Sequence, residues 1–201
     1  MSHFSLLFER YAQLNICREA IEGVYNILVS VFKNRGKLLI AGNGGSAADA
    51  GHIAGELLKN FYKKRAIPED IATKLGEEVS NHLEGALPVI ALPDFTAFHT
   101  AYANDRDGAY SFAQLVLALG NEGDALLAIS TSGNSKNILH AIGVAHAKDM
   151  KIVGLTGATG GAMRPCCTAC ICVPERETFK IQELHLPVYH ALCQELENYF
   201  F

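Results

Sequence analysis

Two loops and two helical stretches carry residues whose types and spacing could do chemistry. Gly42-Asn43-Gly44-Gly45-Ser46-Ala47 closes a short apolar run and precedes a helical pattern. Glycines let the backbone take positive φ and approach a ligand closely, and a helix start offers unpaired amide hydrogens to an anion. An empty strand-to-helix turn has the same outline. Gly42-x-Gly44-x-x-Ala47 also fits a dinucleotide fingerprint loosely. That fold expects a second strand ending in an acidic residue about 20 residues on, whereas the next strand pattern here begins near Pro88. The second loop is Ser130-Thr131-Ser132-Gly133-Asn134-Ser135. Its hydroxyls suit a phosphate held by side chains and backbone amides, and helix capping explains two of them more readily than four. No Gly-Lys-Ser/Thr follows, so it is not a nucleoside-triphosphate loop. A third turn, Thr156-Gly157-Ala158-Thr159-Gly160-Gly161, borders the same end of the sheet and reads as structural.

His52 and Glu56 stand four apart on the helix that begins at Ser46, so both project from one face. On an arbitrary helix such a pair is a surface contact worth a few tenths of a kcal/mol. Here the helix starts at a candidate phosphate loop, which puts the two groups roughly 9–15 Å along its axis, about the reach of an extended sugar phosphate. The last helical stretch carries Gln182, Glu183, His185 and His190. At about 100° per residue, Gln182 and His190 stand about 80° apart and can border one cleft, and Glu183 falls within about 20° of His190. His185 lies about 140° from His190 and faces elsewhere. His3, His82, His99, His140 and His146 lack comparable partners and read as surface or packing residues.

The elements that must position these groups follow from hydrophobic period. Apolar residues from Phe4 to Phe32 recur at three and four, predicting a long amphipathic helix or a helix pair. Short apolar runs at Lys37–Ala41, Pro88–Leu92, Ala125–Ser130, Lys151–Leu155 and Ala169–Val173 predict buried strands. Helical patterns lie at Ser46 to about Lys64, around Tyr110–Leu119 and Asn134–Lys148, and from Thr178, read as an N-cap, to about Phe200, with a kink expected at Pro187. Alternating strands and helices imply a parallel sheet covered on both faces, with ligands at the carboxyl ends of its strands near a topological switch point. Residues 65–87, polar but with Ile67, Ile71 and Leu75 at helical spacing, read as an excursion between the first two strands.

The chain has 201 residues, 49% hydrophobic and 19% charged, with formal net charge −4. That length fits one domain able to bury its own core. With 17 Lys+Arg against 21 Asp+Glu there is no basic field for nucleic acid. No apolar run reaches the ~18 residues of a membrane span, and the first residues lack a secretion signal, so a soluble cytoplasmic protein is expected. Cys166, Cys167, Cys170 and Cys172 crowd together, but no second separated pair completes a zinc ribbon. Ala169–Val173 reads instead as a strand in which reduced cysteine acts as a small apolar residue.

Ala41-Gly-Asn-Gly-Gly-Ser-Ala-Ala-Asp-Ala50, His52-x3-Glu56, Ser130-Thr-Ser-Gly-Asn-Ser135, Leu155-Thr-Gly157 and Ile181-Gln-Glu-x-His185-x4-His190 occur in that order. Together they resemble the phosphoheptose isomerases of the sugar isomerase (SIS) domain superfamily, across residues 1–201 as a single domain with an N-terminal helical segment at about 1–34. The resemblance implies an α/β, flavodoxin-like fold with five parallel strands, and a homotetramer with active sites between subunits. It implies conversion of sedoheptulose 7-phosphate to D-glycero-D-manno-heptose 7-phosphate, with no nucleotide cofactor. By position, Gly44 and Gly45 belong to the phosphate loop, and Ser46, Ser130, Ser132 and Ser135 would hold the phosphate. Asn43 and Thr131 would line the sugar site, with Asp94, Asn104, Asp105 and Gln182 near substrate. Glu56 would be the base and His190 the partner acid, and His52, Glu56, Gln182 and His190 match positions that bind zinc in some relatives.

The chain departs from that pattern after Glu56, where Leu57-Leu-Lys-Asn-Phe-Tyr-Lys-Lys-Arg65 replaces a shorter Arg-containing segment, and 66–87 is longer than in many relatives. Phe179 occupies a position that is acidic in some members. Lys63-Lys64-Arg65 could meet a second phosphate, but reads better as a solvated helix end. Two alternatives stand beside the isomerase: a non-catalytic SIS protein, sensing a phosphosugar or associating with a replication initiator, and an isomerase of another phosphosugar.

Overall fold

The short apolar runs become strands, fully buried at Leu38–Ala41 and Ala125–Ile129 and mostly half-buried at the edge strand Ala169–Cys172. In the computed structural model, which describes residues 2–201, the strands are β1 (Leu38–Ala41), β2 (Val89–Ala91), β3 (Ala125–Ile129), β4 (Lys151–Thr156) and β5 (Ala169–Cys172). All pair in parallel, in the order β2-β1-β3-β4-β5. The order reverses between β1 and β3, which is the switch point of a flavodoxin-like sheet. The glycine-rich loop follows β1 and the serine-rich loop follows β3, so both candidate anion loops flank that crevice.

The N-terminal apolar pattern resolves into a helix pair, α1 (His3–Arg10) and α2 (Arg18–Lys33), joined by a 3-10 turn at Ala12–Cys17. Further helices are α3 (Gly45–Leu58), α4 (Glu69–Leu75), α5 (Glu77–Ser80), α6 (Thr96–Asp105), α7 (Ser111–Leu119), α8 (Lys136–Ala147) and α9 (Thr178–Phe200). Successive strand residues point to opposite faces. Leu38 and Ile40 therefore join Ile21, Leu28, Ile53, Leu57, Val188 and Leu192 under α2, α3 and α9. Leu39 and Ala41 join Phe112, Val116, Ile138 and Ile142 under α7 and α8. The excursion at 65–87 contains α4 and α5, neither of which buries a residue.

Three expectations are corrected. The helix after the glycine loop ends at Leu58, not near Lys64, because Lys59 turns to extended backbone at φ −137°, ψ 179°. The amides of Phe61, Tyr62 and Lys63 then donate to the Glu197 carboxylate at 2.8, 2.8 and 3.1 Å. Arg65 is not part of a solvated helix end: its side chain is fully buried against Glu197, Nε to Oε1 at 2.8 Å. Its Nη1 and Nη2 donate to the carbonyls of Leu57 and Glu56 at 2.7 and 2.8 Å, closing the C-terminus of α3. At the other end of α9, Glu177 and not Thr178 stands at the N-cap, without a side-chain cap bond. Pro187, where a kink is expected, lies inside α9, which continues as helix on both sides.

The cysteine-rich segment packs as the strand reading predicts. All six thiols are free. A Cβ on Gly154 of β4 would lie 2.7 and 2.8 Å from the sulfurs of Cys170 and Cys167, so these thiols rest on the bare glycine of the neighbouring strand. Cys17 donates its thiol to the Cys172 carbonyl at 3.0 Å. Burial pushes the Cys17 thiol up to about 11 and, with the adjacent Cys170, the Cys172 thiol to about 11, which keeps both protonated at neutral pH.

The Arg65–Glu197 pair generates a stability prediction. Burial works to raise the Glu197 pKa, but bonds from the Phe61 amide, Arg65 and the Tyr62 amide outweigh it and hold the carboxyl below its ordinary value. Its contribution is therefore complete above the ordinary glutamate range and is lost as pH falls through the lower folded-state value. Arg65→Ala leaves a buried carboxylate without its cation and should cost roughly 3–5 kcal/mol in urea unfolding at pH 7. A cost under about 1 kcal/mol would show that the pair is dispensable.

Candidate active site

Backbone geometry and amide pairs lock the two candidate anion loops together. Gly44 takes φ +55° just before α3, and nothing lies within 4 Å of where its Cβ would be. Asn43 and Asn137 exchange two amide hydrogen bonds of 3.0 and 2.7 Å across the switch point. Ser46 and Ser130 are buried, and Ser130 Oγ meets Ser135 Oγ at 3.0 Å. Ser132 Oγ accepts the Asn134 amide at 3.1 Å, a local turn bond. Gly133 takes φ +66°, and a Cβ there would lie 2.1 Å from the Gly160 carbonyl oxygen, so no other residue fits. The third turn braces this loop: the Gly157 amide donates to the Thr131 carbonyl at 3.1 Å and the Met163 amide to that of Gly133 at 2.9 Å. Beside it opens a cleft of about 220 Å³ lined by Thr131, Ser132, Asn134, Gly157–Thr159, Glu175, Arg176 and Ile181. Arg176 is a cation at this cleft that the sequence reading missed; a single arginine between two glutamates shows no pattern.

The candidate acid–base groups meet on the face where α3 crosses α9. His52 Nε2 lies 3.2 Å from Glu56 Oε1 and 3.4 Å from His190 Nε2. Lys59 Nζ stands 3.6 Å from Glu56 Oε2, and that buried oxygen has no hydrogen-bond partner among the described residues. The Phe61 ring leans on His190 with centroids 5.3 Å apart. Burial, then the facing His52, holds His190 below the ordinary histidine value against the pull of Glu56, so its imidazole is neutral near pH 7. Tyr189 and Asp49, which sequence reasoning also missed, join this group: the Tyr189 hydroxyl lies 3.0 Å from His52 Nδ1 and 3.2 Å from Asp49 Oδ1. Asp49 stands three residues before His52, a spacing that could have drawn attention to it.

Other candidates are placed differently. Gln182 packs its amide against Gly45, where a Cβ would meet Nε2 at 2.4 Å, so it stands at the first anion loop. Asp94 sits above α3, with Oδ1 3.8 Å from where a Gly51 Cβ would be. Asn104 and Asp105 occupy the exposed end of α6 and hydrogen-bond to each other at 2.9 Å. Glu183 is exposed. His190 borders a separate groove of about 290 Å³ between α1 and α9. Glu56 and His190 therefore gather around His52, but the groove beside His190 and the cleft beside Ser132 are distinct in the single chain. Two of the other histidines have packing duties: His99 bonds Ser111 and the Leu92 carbonyl, both at 2.9 Å, and His140 stacks on Tyr110.

The sequence is 42% identical to a phosphoheptose isomerase of Aneurinibacillus thermoaerophilus over 181 residues, 90% of this chain and 82% of that one. A second relative of the same name, from Rhodospirillum rubrum, is 39% identical over 188 residues, 94% of this chain and 90% of the relative. The chain belongs to the phosphoheptose isomerase family. Residues 77–157 match the SIS domain. The fold agrees: the solved phosphoheptose isomerase of Neisseria gonorrhoeae superimposes with a TM-score of 0.77 at 32% identity, covering 98% of this chain and 95% of that one. In this family member the loops after β1 and β3 lie at the switch point of the sheet.

His185 is the buried histidine of the family motif, and burial drives its pKa down to about 4 against a backbone contact with Thr156. It is neutral when folded but takes up a proton more readily when unfolded. Its contribution to stability is thus intact above about pH 6.5 and lost as pH falls toward 4. Stability should drop by on the order of 2 kcal/mol between pH 8 and pH 5 from this residue alone. Urea unfolding of His185→Leu should show that part of the slope removed; an unchanged slope would refute the assignment.

Proposed function

We propose that this chain acts as a phosphoheptose isomerase, converting sedoheptulose 7-phosphate to D-glycero-D-manno-heptose 7-phosphate. Relatives of that name at about 40% identity over most of the chain support the activity. The observation that carries the chemistry is the meeting of Glu56, His52 and His190 from two helices. A non-catalytic phosphosugar-binding protein has no need of that cluster.

The proposed mechanism starts at the anion. Ser46, Ser130, Ser132 and Ser135, with the amides after Gly44 and Gly45, hold the phosphate at the helix starts. Asn43, Thr131 and Gln182 line the sugar, and Asp94, Asn104 and Asp105 approach it in the assembled oligomer. Glu56 removes a proton from C1 of the ketose, and a positioned carboxylate of this kind contributes roughly 10²–10⁴-fold. The neutral His190 gives its ring proton to the carbonyl oxygen on C2, forming the enediol. It then recovers a proton from the C1 hydroxyl as Glu56 returns the carbon-bound proton to C2. Atoms and charge balance, and no redox partner is needed.

A zinc ion is consistent with the donors. Tetrahedral bonds of about 2.0–2.1 Å put neighbouring donor atoms about 3.3 Å apart. The separations from His52 Nε2 to Glu56 Oε1 and His190 Nε2 are 3.2 and 3.4 Å. The unpartnered Glu56 Oε2 adds free ligating capacity. Among the described residues, however, no group of three or more His, Cys, Asp or Glu side chains is placed to hold a metal ion without rearrangement. His52, Glu56 and His190, with Gln182, would hold the ion. When bound it would polarise the substrate oxygens and stabilise the enediolate charge.

We also propose that residues 1–201 work as one SIS domain and assemble as a homotetramer, so that a second copy helps unite the two clefts. Among the described residues, no helix is long and apolar enough to cross a membrane. A cytoplasmic location fits a substrate whose phosphate charge keeps it inside the cell.

Two variants test the reading. Glu56→Gln should lose at least 10²-fold in kcat, followed by NMR of sedoheptulose 7-phosphate, while phosphosugar binding survives. Undiminished turnover would eliminate the base. Ser132→Ala should raise KM for the phosphorylated sugar roughly tenfold, the value of one hydrogen bond to a charged group, with kcat little changed. An unaltered KM would count against the loop.

A further inference from the structure

The serine-rich loop after β3 offers an anion neutral donors. The start of α8 behind it adds about half a positive charge, whereas a phosphate monoester carries about −1.5 to −2 at neutral pH. Glu175 also lines the cleft beside Ser132, and its carboxylate opposes any anion there. Hydroxyls and amides alone therefore leave most of such a ligand's charge uncompensated. A cation stands at the same cleft: among the described residues, Arg176 is the one Lys, Arg or His side chain that lines it. Lys136 opens α8 but does not line the cleft.

Arg176 sits on the short segment between β5 and α9, and that segment is pinned to the turn after β4. The Ala158 amide donates to the Glu175 carbonyl at 2.9 Å, and the Val173 amide to the Thr156 carbonyl at 2.9 Å. Gly157 permits this close approach. A Cβ there would lie 2.4 Å from Ile181 Cδ1, 2.9 Å from the Thr131 carbonyl oxygen and 3.0 Å from that of Glu175. The serine-rich loop, the turn and the base of Arg176 are thereby held against one another, so the arginine stem starts from a fixed point. Its guanidinium is uncommitted. Among the described residues neither neighbouring acid pairs with it: Glu177 is engaged by Lys180, and Glu175 makes no ion pair. An anion entering the cleft has no existing pair to break, and the planar guanidinium can give it two parallel hydrogen bonds.

We propose that Arg176 is a specificity-determining residue that takes hold of the substrate's phosphate across the cleft beside Ser132. The assignment rests on the serine-rich loop being the phosphate loop, as in the proposed function. It adds the cation that favours a phosphorylated sugar over a neutral one. Arg176 is exposed, so salt screens its charge until an anion covers it.

The test uses inorganic phosphate as the probe. It is titrated into 15N-labelled wild type, Arg176→Ala and Arg176→Lys while the amide signals of residues 130–135 are followed. Arg176→Ala should weaken phosphate about tenfold, the lower end for a hydrogen bond to a charged group. Arg176→Lys should recover part of the loss, since it keeps the charge without the fork. The KM for sedoheptulose 7-phosphate should rise in step with the phosphate dissociation constant across the three proteins. Because Arg176 is exposed and unpaired, the three urea midpoints should coincide, which separates lost binding from lost fold. Phosphate affinity in Arg176→Ala within twofold of wild type overturns the proposal. So does a raised KM with unchanged phosphate affinity, which would assign Arg176 to the sugar, and so does a wild type whose loop amides ignore phosphate. If wild type binds phosphate and Arg176→Ala loses it, but neither isomerises sedoheptulose 7-phosphate, Arg176 keeps its assignment and only the isomerase reading fails.

Discussion

The buried contact between Arg65 and Glu197 is the constraint on which the site depends. Glu197 sits near the end of α9 and Arg65 in the segment that leaves α3, 132 residues apart in sequence and 2.8 Å apart in space. Through Arg65 the pair satisfies the carbonyls of Glu56 and Leu57. Through Glu197 it gathers three backbone amides of the following turn. A helix end buried without such partners would leave polar groups unpaired. The same bonds set where α3 stops and how α9 crosses it. Glu56 lies two residues before that stop and His190 two turns before Glu197, so the spacing of the acid–base cluster follows from this junction.

The candidate anion loops depend on a different kind of precision. They approach one another so closely that Gly133 has no room for a side chain beside Gly160, and Asn43 and Asn137 tie the loops after β1 and β3. Donors held before the ligand arrives lose little freedom on binding, which is the advantage of a pre-organised site. Rigid loops at the switch point and an acid–base cluster farther along α3 divide the labour by length. In the proposed reaction one end grips the phosphate, and the other addresses carbons at the far end of an extended sugar. That the two open into separate clefts in one chain gives the proposed oligomer a chemical purpose beyond stability.

Burial then decides the protonation of the groups involved. His185 is kept neutral under the sheet, His190 is kept neutral beside a second imidazole, and Cys17 and Cys172 remain thiols. The crowded cysteines illustrate how spacing can mislead. The sulfurs of Cys167 and Cys170 fill the space above Gly154, where a Cβ on that residue would collide with them.

Much of this was readable from the chain itself. Strands buried on both faces must be runs such as Ala125–Ile129, and a helix start with glycines before it must present amides, because these follow from backbone geometry and local spacing. The parallel sheet, the loops at its switch point and the shared face of His52 and Glu56 were therefore determined by sequence alone. Arg65, Tyr189, Asp49 and Arg176 were not, nor was the early end of α3. Arg65 belongs to a basic run that looks solvated until Glu197 meets it, and Tyr189 looks like core until its hydroxyl finds Asp49 and His52. Their partners lie more than 100 residues away, and no periodicity encodes a bond across such a separation. Only the packing of α9 onto α3 decides it, since burial forces each polar atom to find whichever partner the fold brings within reach.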